Sequence, residues 1–343
     1  AISSYNIALT INPNYAEANN NLGITLHKKG DIDEAVRNYQ NALLVNPEYA
    51  EVQNNLGNAF KDLGKLDLAI ELYEKAILIK PDFPEAFDNL VVVLKEFDQL
   101  EVAINSYQKV IIANPKLAQA HHNLGLVLQL SGQNEEAIKC YEKAIAIRPN
   151  YAEAHNNIGI VYKELGQLED AIKSYEKSLT INPDFAEAHN NLGNVLKELN
   201  NLNEAAECFN KVIAIQPNFA ETHNNLGMIL SQLGKFKKAE ISFMQAIKIN
   251  PNYADAHSNV GMIYKELGRV DQAISSLKKA IDLEPQYAVG HTNLCTIQYD
   301  NHDYVSALQT IKDANAINPK SKSIRLLFKL LTAKNYTSGV INN

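Results

Sequence analysis

The sequence predicts an all-α protein built from stacked pairs of helices, and two observations support this prediction. Ten of the eleven prolines, from Pro13 to Pro319, follow one another at intervals of 34 residues without an insertion. Between these prolines, apolar residues recur at helical spacing in two blocks that a turn separates. A fixed period of this length is typical of arrays in which each repeat packs only on its neighbours.

Each repeat is numbered from the third residue after its proline and contains two predicted helices. In the repeat that starts at Ala152, these helices cover 152–165 and 168–181, with Gly166 in the turn between them. Glycine suits the left-handed conformation that closes a helix, and Pro183 ends the second helix. Asn150 or Asp184, next to the prolines, is expected to cap the helix that follows.

The period predicts one continuous array, although 343 residues would ordinarily suggest two domains. Residues 1–15 are predicted to be a truncated repeat that keeps only its second helix. Nine full repeats cover 16–321, with the bounds 16–49, 50–83, 84–117, 118–151, 152–185, 186–219, 220–253, 254–287 and 288–321. Residues 322–343 are predicted to form a capping helix or the junction to a downstream domain, and with the truncated start they suggest a piece of a longer chain.

Small residues at two repeat positions predict close contact between the helices. Position 8 is glycine in seven of the nine full repeats, and position 20 is alanine in all nine. Tyrosine or phenylalanine at position 24 is expected to fill the space that these residues leave. The third repeat departs from this pattern with Phe87, Val91 and Asp98 at positions 4, 8 and 15. Sequence drift and a local change in curvature both remain open as its explanation.

Composition excludes several classes of function. A net charge of −7 gives no basic footprint for nucleic acid. The longest apolar run, at 90–94, is far shorter than the roughly 18 residues of a membrane span, and no secretory leader opens the chain, so a cytoplasmic protein is expected. Three distant cysteines form no disulfide framework. Catalytic and phosphate-binding motifs are absent, so the chain is predicted to be non-enzymatic and without cofactors.

Position 6 is the most informative position outside the predicted core, because it is asparagine in every full repeat. The residues are Asn21, Asn55, Asn89, Asn123, Asn157, Asn191, Asn225, Asn259 and Asn293. Helix propensity does not select asparagine, whereas its amide offers both donors and acceptors. A ladder of such amides on the first helices is predicted to hold the main chain of an extended peptide. The alternative is that each asparagine bonds the neighbouring helix and stabilises the stack.

The repeats share a pattern of Leu-Gly at positions 7–8, Ala at 20, Tyr or Phe at 24, Ala at 27 and Pro at 32. This pattern resembles the tetratricopeptide repeat, up to about residue 321. The resemblance implies a right-handed superhelix, or α-solenoid, whose first helices line a concave groove. The asparagines and segments such as 185–199 resemble the repeats of O-linked N-acetylglucosamine transferases and Spindly-type proteins. That likeness implies protein partners, namely extended or disordered segments. Two alternatives stay open: the substrate arm of a larger transferase whose catalytic domain lies outside this chain, and an assembly scaffold that uses its convex face.

Three further positions refine this interpretation. Six histidines at position 4 lie too far apart for a metal site and are expected to pack between helices; they are His121, His155, His189, His223, His257 and His291. Position 2 is acidic in seven repeats, at Glu17, Glu51, Glu85, Glu153, Glu187, Glu221 and Asp255, so no carboxylate clamp for a chaperone tail is expected. Lysines at position 12 are predicted to contact acidic ligand side chains; they are Lys61, Lys95, Lys163, Lys197 and Lys265.

Overall fold

The structure, a computed structural model, describes residues 1–81, 83–96 and 100–338. In these residues the backbone forms twenty α-helices and no β-strand, which confirms the predicted all-α fold class. No helix in the described part of the chain has the length and apolar character that crossing a membrane requires. The chain divides into two compact units, Ala1–Asp170 and Ala171–Asn343, and the boundary falls inside α11 (Leu168–Ile181).

The first unit is a stack of antiparallel helix pairs. Its helices before α11 are α1 (Ile2–Ile11), α2 (Ala16–Lys29), α3 (Ile32–Val45), α4 (Ala50–Asp62), α5 (Leu66–Ile79), α6 (Pro84–Glu96), α7 (Leu100–Ala113), α8 (Ala118–Leu130), α9 (Asn134–Ile147) and α10 (Ala152–Glu164). The first helix of a repeat packs against the second helix of its own repeat and against the second helix of the repeat before it. Contacts therefore join helices that are close in the chain, as the period predicts.

The second unit has the same arrangement. Its helices after α11 are α12 (Ala186–Glu198), α13 (Leu202–Ile215), α14 (Ala220–Gln232), α15 (Phe236–Ile249), α16 (Ala254–Glu266), α17 (Val270–Leu283), α18 (Ala288–Asp300), α19 (Tyr304–Ile317) and α20 (Lys322–Ser338). The final helix, α20, packs on α18 and α19. It buries Ile324 and Leu331 there, against a cluster that includes Cys295 and Ile311.

In the full repeats whose turn the structure describes, that turn depends on one left-handed residue. In the first full repeat, Gly30 has a φ of 91°, and the Asp31 N–H then donates to the Leu26 carbonyl at 3.0 Å. This bond satisfies a carbonyl at the helix end and reverses the chain. Three repeats lack the glycine. In two of them, Asn200 and His302 adopt the same conformation with φ of 61° and 62°.

The prediction that Asn150 or Asp184 caps the next helix is wrong. The N-cap residue is the following aromatic, Tyr151 or Phe185, and no side chain caps either helix. The side chain that accepts a backbone hydrogen bond in this segment is instead that of the asparagine before the proline. For example, Asn182 Oδ1 accepts a hydrogen bond from the Asp184 N–H at 3.3 Å. A short Asx turn around the proline thus occupies the place where a cap was expected.

The predicted packing of small residues against position 24 is confirmed. A Cβ atom added to Gly57 would lie 2.6 Å from Cε1 of Tyr73, and one added to Gly227 would lie 2.6 Å from Cε1 of Phe243. Position 20, for example Ala69, is completely buried. In these two repeats, position 8 therefore has no room for a side chain unless the ring above it shifts.

The third repeat packs differently because Val91 occupies position 8. Its position-24 ring, Tyr107, lies nearly parallel to Phe87, with ring centroids 6.3 Å apart. Here the second helices α5 and α7 also contact one another. Asp98, the turn substitution, lies outside the described residues.

Candidate functional site

Repeat positions 2, 6, 9 and 13 lie along one stripe of each first helix, because steps of three and four residues match the helical period. We call these stripes, taken together within each unit, the first-helix face. Its edges are open to solvent, since Glu153 and Glu221 at position 2 and Glu198 and Glu266 at position 13 are all exposed. The sequence-predicted asparagines at position 6 lie along the middle of this face.

Most position-6 asparagines are half-buried, with one exposed and one buried exception. Asn21, in the first full repeat, is exposed, whereas Asn123 has an exposed fraction of only 3%. Half-buried side chains touch the protein on one side and solvent on the other. These residues can therefore bond a neighbouring helix and still present part of the side-chain amide to solvent.

A hydrogen bond joins many position-6 amides to position 5 of the preceding repeat, 35 residues earlier. In each bond the position-6 Nδ2 donates. The bonds run from Asn55 to Asn20 Oδ1 (3.1 Å), Asn89 to Asn54 Oδ1 (2.9 Å), Asn157 to His122 Nε2 (2.9 Å), Asn259 to Asn224 Oδ1 (2.9 Å) and Asn293 to Ser258 Oγ (3.3 Å). Stabilisation of the stack, the alternative role considered for these asparagines, is thus a role that they do fulfil.

These bonds use only part of each amide. An asparagine side chain has two N–H donors and an oxygen with two lone pairs, and the bond to position 5 engages one N–H. The Oδ1 atoms of Asn55, Asn89, Asn259 and Asn293 accept no hydrogen bond from the described residues and are not buried. The acceptor side of the ladder therefore remains open at these repeats.

Asn123 is one of the predicted groove residues that do not make this bond. Its Oδ1 accepts hydrogen bonds from Gln119 Nε2 at 3.2 Å and from His122 Nδ1 at 3.3 Å. No bond joins it to Asp88, the position-5 residue of the third repeat, which is exposed. The ladder of inter-repeat bonds is therefore interrupted between the third and fourth repeats. It is also interrupted between the sixth and seventh, where the Oδ1 of Asn190, the acceptor expected for Asn225, is buried without a hydrogen-bond partner in the described residues.

His122 lies in a buried aromatic cluster that sequence reasoning missed. Its ring centroid is 4.8 Å from that of Tyr151 and 5.6 Å from that of Tyr141, and the Arg148 guanidinium lies 4.0 Å from the Tyr151 ring centroid. Burial lowers the pKa of His122 to about 4, although its bond to Asn123 acts in the opposite direction. The only sequence signal was a histidine at position 5, where asparagine is commoner.

The position-4 histidines have a specific structural partner. In each of five repeats the Nε2–H donates to the carbonyl of the proline six residues earlier, at 2.8–3.0 Å; the residues are His121, His189, His223, His257 and His291. Gln53 makes the equivalent bond to Pro47 at 3.2 Å. Among the described residues no three His, Cys, Asp or Glu side chains come together as a metal site would require. These histidines hold the turn between repeats.

The position-12 side chains also connect neighbouring first helices. Lys265 pairs with Asp300 of the next repeat at 2.7 Å, and His27 contacts Asp62 at 2.9 Å in the same relation. Lys61, Lys163 and Lys197 form no ion pair with the described residues. The side chain of Lys95 lies outside the described residues.

A cleft of about 650 Å³ lies away from the first-helix face, between the second helices α5 and α7. Asp67, Glu71 and Glu74 form its α5 wall. Val102 and Ile112, both exposed, lie on its α7 wall.

The sequence matches two family models of the tetratricopeptide repeat. One matches residues 14–81, 116–184 and 152–218, and the other matches 220–253 and 254–287. Together these segments cover more than half of the chain. No curated protein matches the sequence.

Solved structures show the same fold. The APC/C hetero-tetramer Cut9–Hcn1 gives a TM-score of 0.54 at 16% identity, over 96% of this chain and 80% of that chain. PilF of Pseudomonas aeruginosa gives 0.53 at 21% identity, over 63% and 97%. YrrB, described as a TPR protein with an unusual peptide-binding site, gives 0.49 at 26% identity, over 54% and 95%. The first two likenesses concern the fold alone, and the third is too weak to support an argument.

Proposed function

Because the chain belongs to the tetratricopeptide repeat family, whose fold suggests protein–protein interaction or scaffolding, we propose that it binds extended segments of other proteins on its first-helix face. The position-6 asparagines hold the main chain of the bound segment. An extended segment presents N–H and C=O groups at regular intervals whatever its sequence, and amide side chains complement both. This mode of binding accepts partners with different side chains.

The open Oδ1 atoms of Asn55, Asn89, Asn259 and Asn293 are the observation that supports this proposal most directly. Each belongs to an amide whose Nδ2 is already held by the preceding repeat. Such an amide is oriented before a ligand arrives, so binding costs less side-chain entropy. The two roles of the asparagines, in the stack and in the groove, therefore support one another.

The predicted ligand contacts of the position-12 lysines and the predicted lack of enzymatic activity rest on other observations. Lys61, Lys163 and Lys197 make no ion pair with the described residues, so they are free to contact a ligand. Lys265 would first have to leave Asp300. The matching family models are all repeat models, which suggests a non-catalytic repeat protein. That these repeats serve as the substrate arm of a larger transferase stays a prediction, which the full-length reading frame tests.

The scaffold alternative also has an observation in its favour. The cleft between α5 and α7 exposes Val102 and Ile112 beside three carboxylates. A partner that binds there would contact second helices and leave the asparagines untouched. Substitution of Ile112 by glutamate separates the two surfaces, because only the scaffold function should respond.

The test uses two matched sets of substitutions in the whole chain. The first set changes Asn55, Asn89, Asn259 and Asn293 to alanine, which removes the inter-repeat bonds and the open amides together. The second set changes their partners Asn20, Asn54, Asn224 and Ser258 to alanine, which removes the same inter-repeat bonds and leaves the position-6 amides in place. Both sets should reduce stability to a similar degree.

Binding is measured by titration calorimetry with three unstructured peptides, one basic, one neutral and one acidic, and circular dichroism checks the helical content. The first set should weaken every peptide that binds by about 2–6 kcal/mol, at roughly 0.5–1.5 kcal/mol for each lost bond. The partner set should weaken binding far less. If both sets bind as tightly as the parent, the asparagines only pack the stack and the proposal is wrong.

A further inference from the structure

Carboxylates border the asparagine row on both edges of the first-helix face. Position 2 lies about one helical turn before the asparagine and position 13 about two turns after it. Seven full repeats are acidic at position 2. At position 13, the acidic residues with described side chains are Asp62, Glu164, Glu198, Glu266 and Asp300. A segment held by the asparagines therefore lies between two rows of negative charge.

Only part of this charge is balanced within the protein. Lys80 pairs with Glu51 at 2.7 Å, and Lys265 pairs with Asp300 at 2.7 Å. By contrast, Glu198, Glu221 and Glu266 are exposed and make no ion pair with the described residues. Exposed, unpaired carboxylates keep their charge available for a ligand.

The second unit shows the imbalance most clearly. In α12, α14, α16 and α18, positions 2, 6, 9 and 13 include six acidic residues and no basic one. The position-12 lysines of this unit are Lys197 and Lys265, and Asp300 already holds the second. An acidic segment laid along this face would meet like charges at both edges, which opposes binding.

An extended segment can use both rows at once. Its successive side chains point to opposite sides of the main chain. When the main chain follows the asparagines across the first helices, one set of side chains points towards position 2 and the other towards position 13. Both edges lie roughly 6–10 Å from the asparagine, about one Debye length at physiological salt.

We infer that the segment bound by the first-helix face is basic: an extended stretch of a partner protein with lysine or arginine on both sides of its main chain. This inference rests on the function proposed above and adds the charge of the ligand to it. It departs from the sequence-based expectation that the position-12 lysines contact acidic ligands.

The test compares three peptides of about 16 residues, built from repeated Lys-Lys-Ser-Ser, Gln-Gln-Ser-Ser or Glu-Glu-Ser-Ser units. At about 3.3 Å per residue, each is long enough to cross four first helices. The basic peptide should bind the whole chain most tightly and the acidic peptide most weakly. The difference in affinity between the basic and the acidic peptide should become smaller as the salt concentration rises, because exposed charges are screened.

Matched variants locate the charge that matters. The face variant changes Glu198, Glu221 and Glu266 to glutamine. The control variant changes three exposed acidic residues of second helices, Glu204→Gln, Glu207→Gln and Asp271→Asn, so the net charge changes equally. The face variant should bind the basic peptide roughly 3- to 100-fold more weakly, as expected for three exposed charge pairs. The control variant should bind it as the parent does.

The possible outcomes distinguish a failure of the charge inference from a failure of the proposed function. If the three peptides bind equally well and the asparagine set weakens them all, the charge inference is overturned and the proposed function stands. If the acidic peptide binds best and Lys61→Met with Lys197→Met weakens it, the lysine expectation replaces the inference. If no peptide binds the folded chain, both fail. A loss in the control variant equal to that in the face variant also overturns the inference.

Discussion

Two junctions can be compared: the one between the second and third repeats and the one between the fourth and fifth. Both contain the hydrogen bond from position 6 to position 5, but the acceptor is an amide in the first and an imidazole in the second. In both, a position-6 Nδ2 donates across 2.9 Å to position 5 of the preceding repeat, from Asn89 to Asn54 and from Asn157 to His122. Both acceptors have exposed fractions of 6%. An amide oxygen accepts at any ordinary pH, whereas an imidazole nitrogen accepts only while it is unprotonated. One repeat position thus sets the geometry of the junction, and the residue that occupies it sets the conditions under which the junction holds.

The largest expected effect comes from removing the acceptor at each junction. His122→Ala should lower the free energy of unfolding of the surrounding repeats by about 2–4 kcal/mol, because it leaves a cavity beside Tyr141 and Tyr151 and removes the acceptor of Asn157. Asn54→Ala should cost about 1 kcal/mol, since Asn89 is half-buried and water can replace the lost acceptor. Hydrogen exchange resolves the two regions separately. Equal losses of stability in the two variants would show that the aromatic cluster around His122 contributes nothing beyond the hydrogen bond.

The next effect is a pH dependence at one junction only. The pKa of His122 is about 4 in the folded chain, below the ordinary value of 6.5, so folding favours its neutral form. The stabilisation is complete above pH 6.5, falls as the pH drops below that value, and is about 3 kcal/mol smaller at pH 4. Unfolding measured between pH 7 and pH 4 should show this loss near α8 and α10.

The matched control for this titration is His122→Asn, which installs the residue that most other repeats have at position 5. Asparagine does not titrate, so the variant should lose the part of the pH dependence that arises at this junction. The surroundings of Asn54 should behave alike in both proteins, and any loss there should come from Glu51, whose pairing with Lys80 lowers its pKa. A variant that keeps the full pH dependence would assign the effect to another group.

The smallest expected effect concerns the ion pair that joins α16 and α18. Lys265→Met should cost about 0.2–1 kcal/mol, because the Lys265–Asp300 pair is partly exposed and screened by solvent. Lys61→Met, which removes no ion pair of the described residues, should leave stability unchanged within error. Urea unfolding measures both variants. A larger loss of unfolding free energy in Lys61→Met than in Lys265→Met would contradict a stabilising role for the Lys265–Asp300 pair.

Much of the fold could be predicted because it depends on local patterns. The predicted helices at 152–165 and 168–181 correspond to α10 (Ala152–Glu164) and α11 (Leu168–Ile181), since glycine and proline restrict the backbone where they stand. The pairing of Gly57 with Tyr73 was also predictable, because small and large residues must complement one another between packed helices. The capping prediction failed because several local hydrogen-bond patterns compete around an asparagine and a proline.

The candidate site was only partly predictable. The row of asparagines, the acidic edges and the lysines at position 12 are visible in the sequence. The bonds from position 6 to position 5, the pairing of Lys265 with Asp300 and the burial of Asn123 are not. Each of these depends on how far one first helix is shifted along its neighbour, which no residue pattern within a single repeat specifies.

By itself, the sequence determined the all-α fold class, the placement of the two helices within a repeat to within a residue or so, and the residues that pack between them, because the steric demands of glycine, proline and aromatic rings act over short distances. Tertiary structure alone decided which position-6 amides bond the preceding repeat and through which atom. Partners 35 residues apart meet only after neighbouring first helices have stacked with one particular offset. A hydrogen bond requires donor and acceptor within a few tenths of an ångström of about 2.9 Å, and stacking supplies that precision.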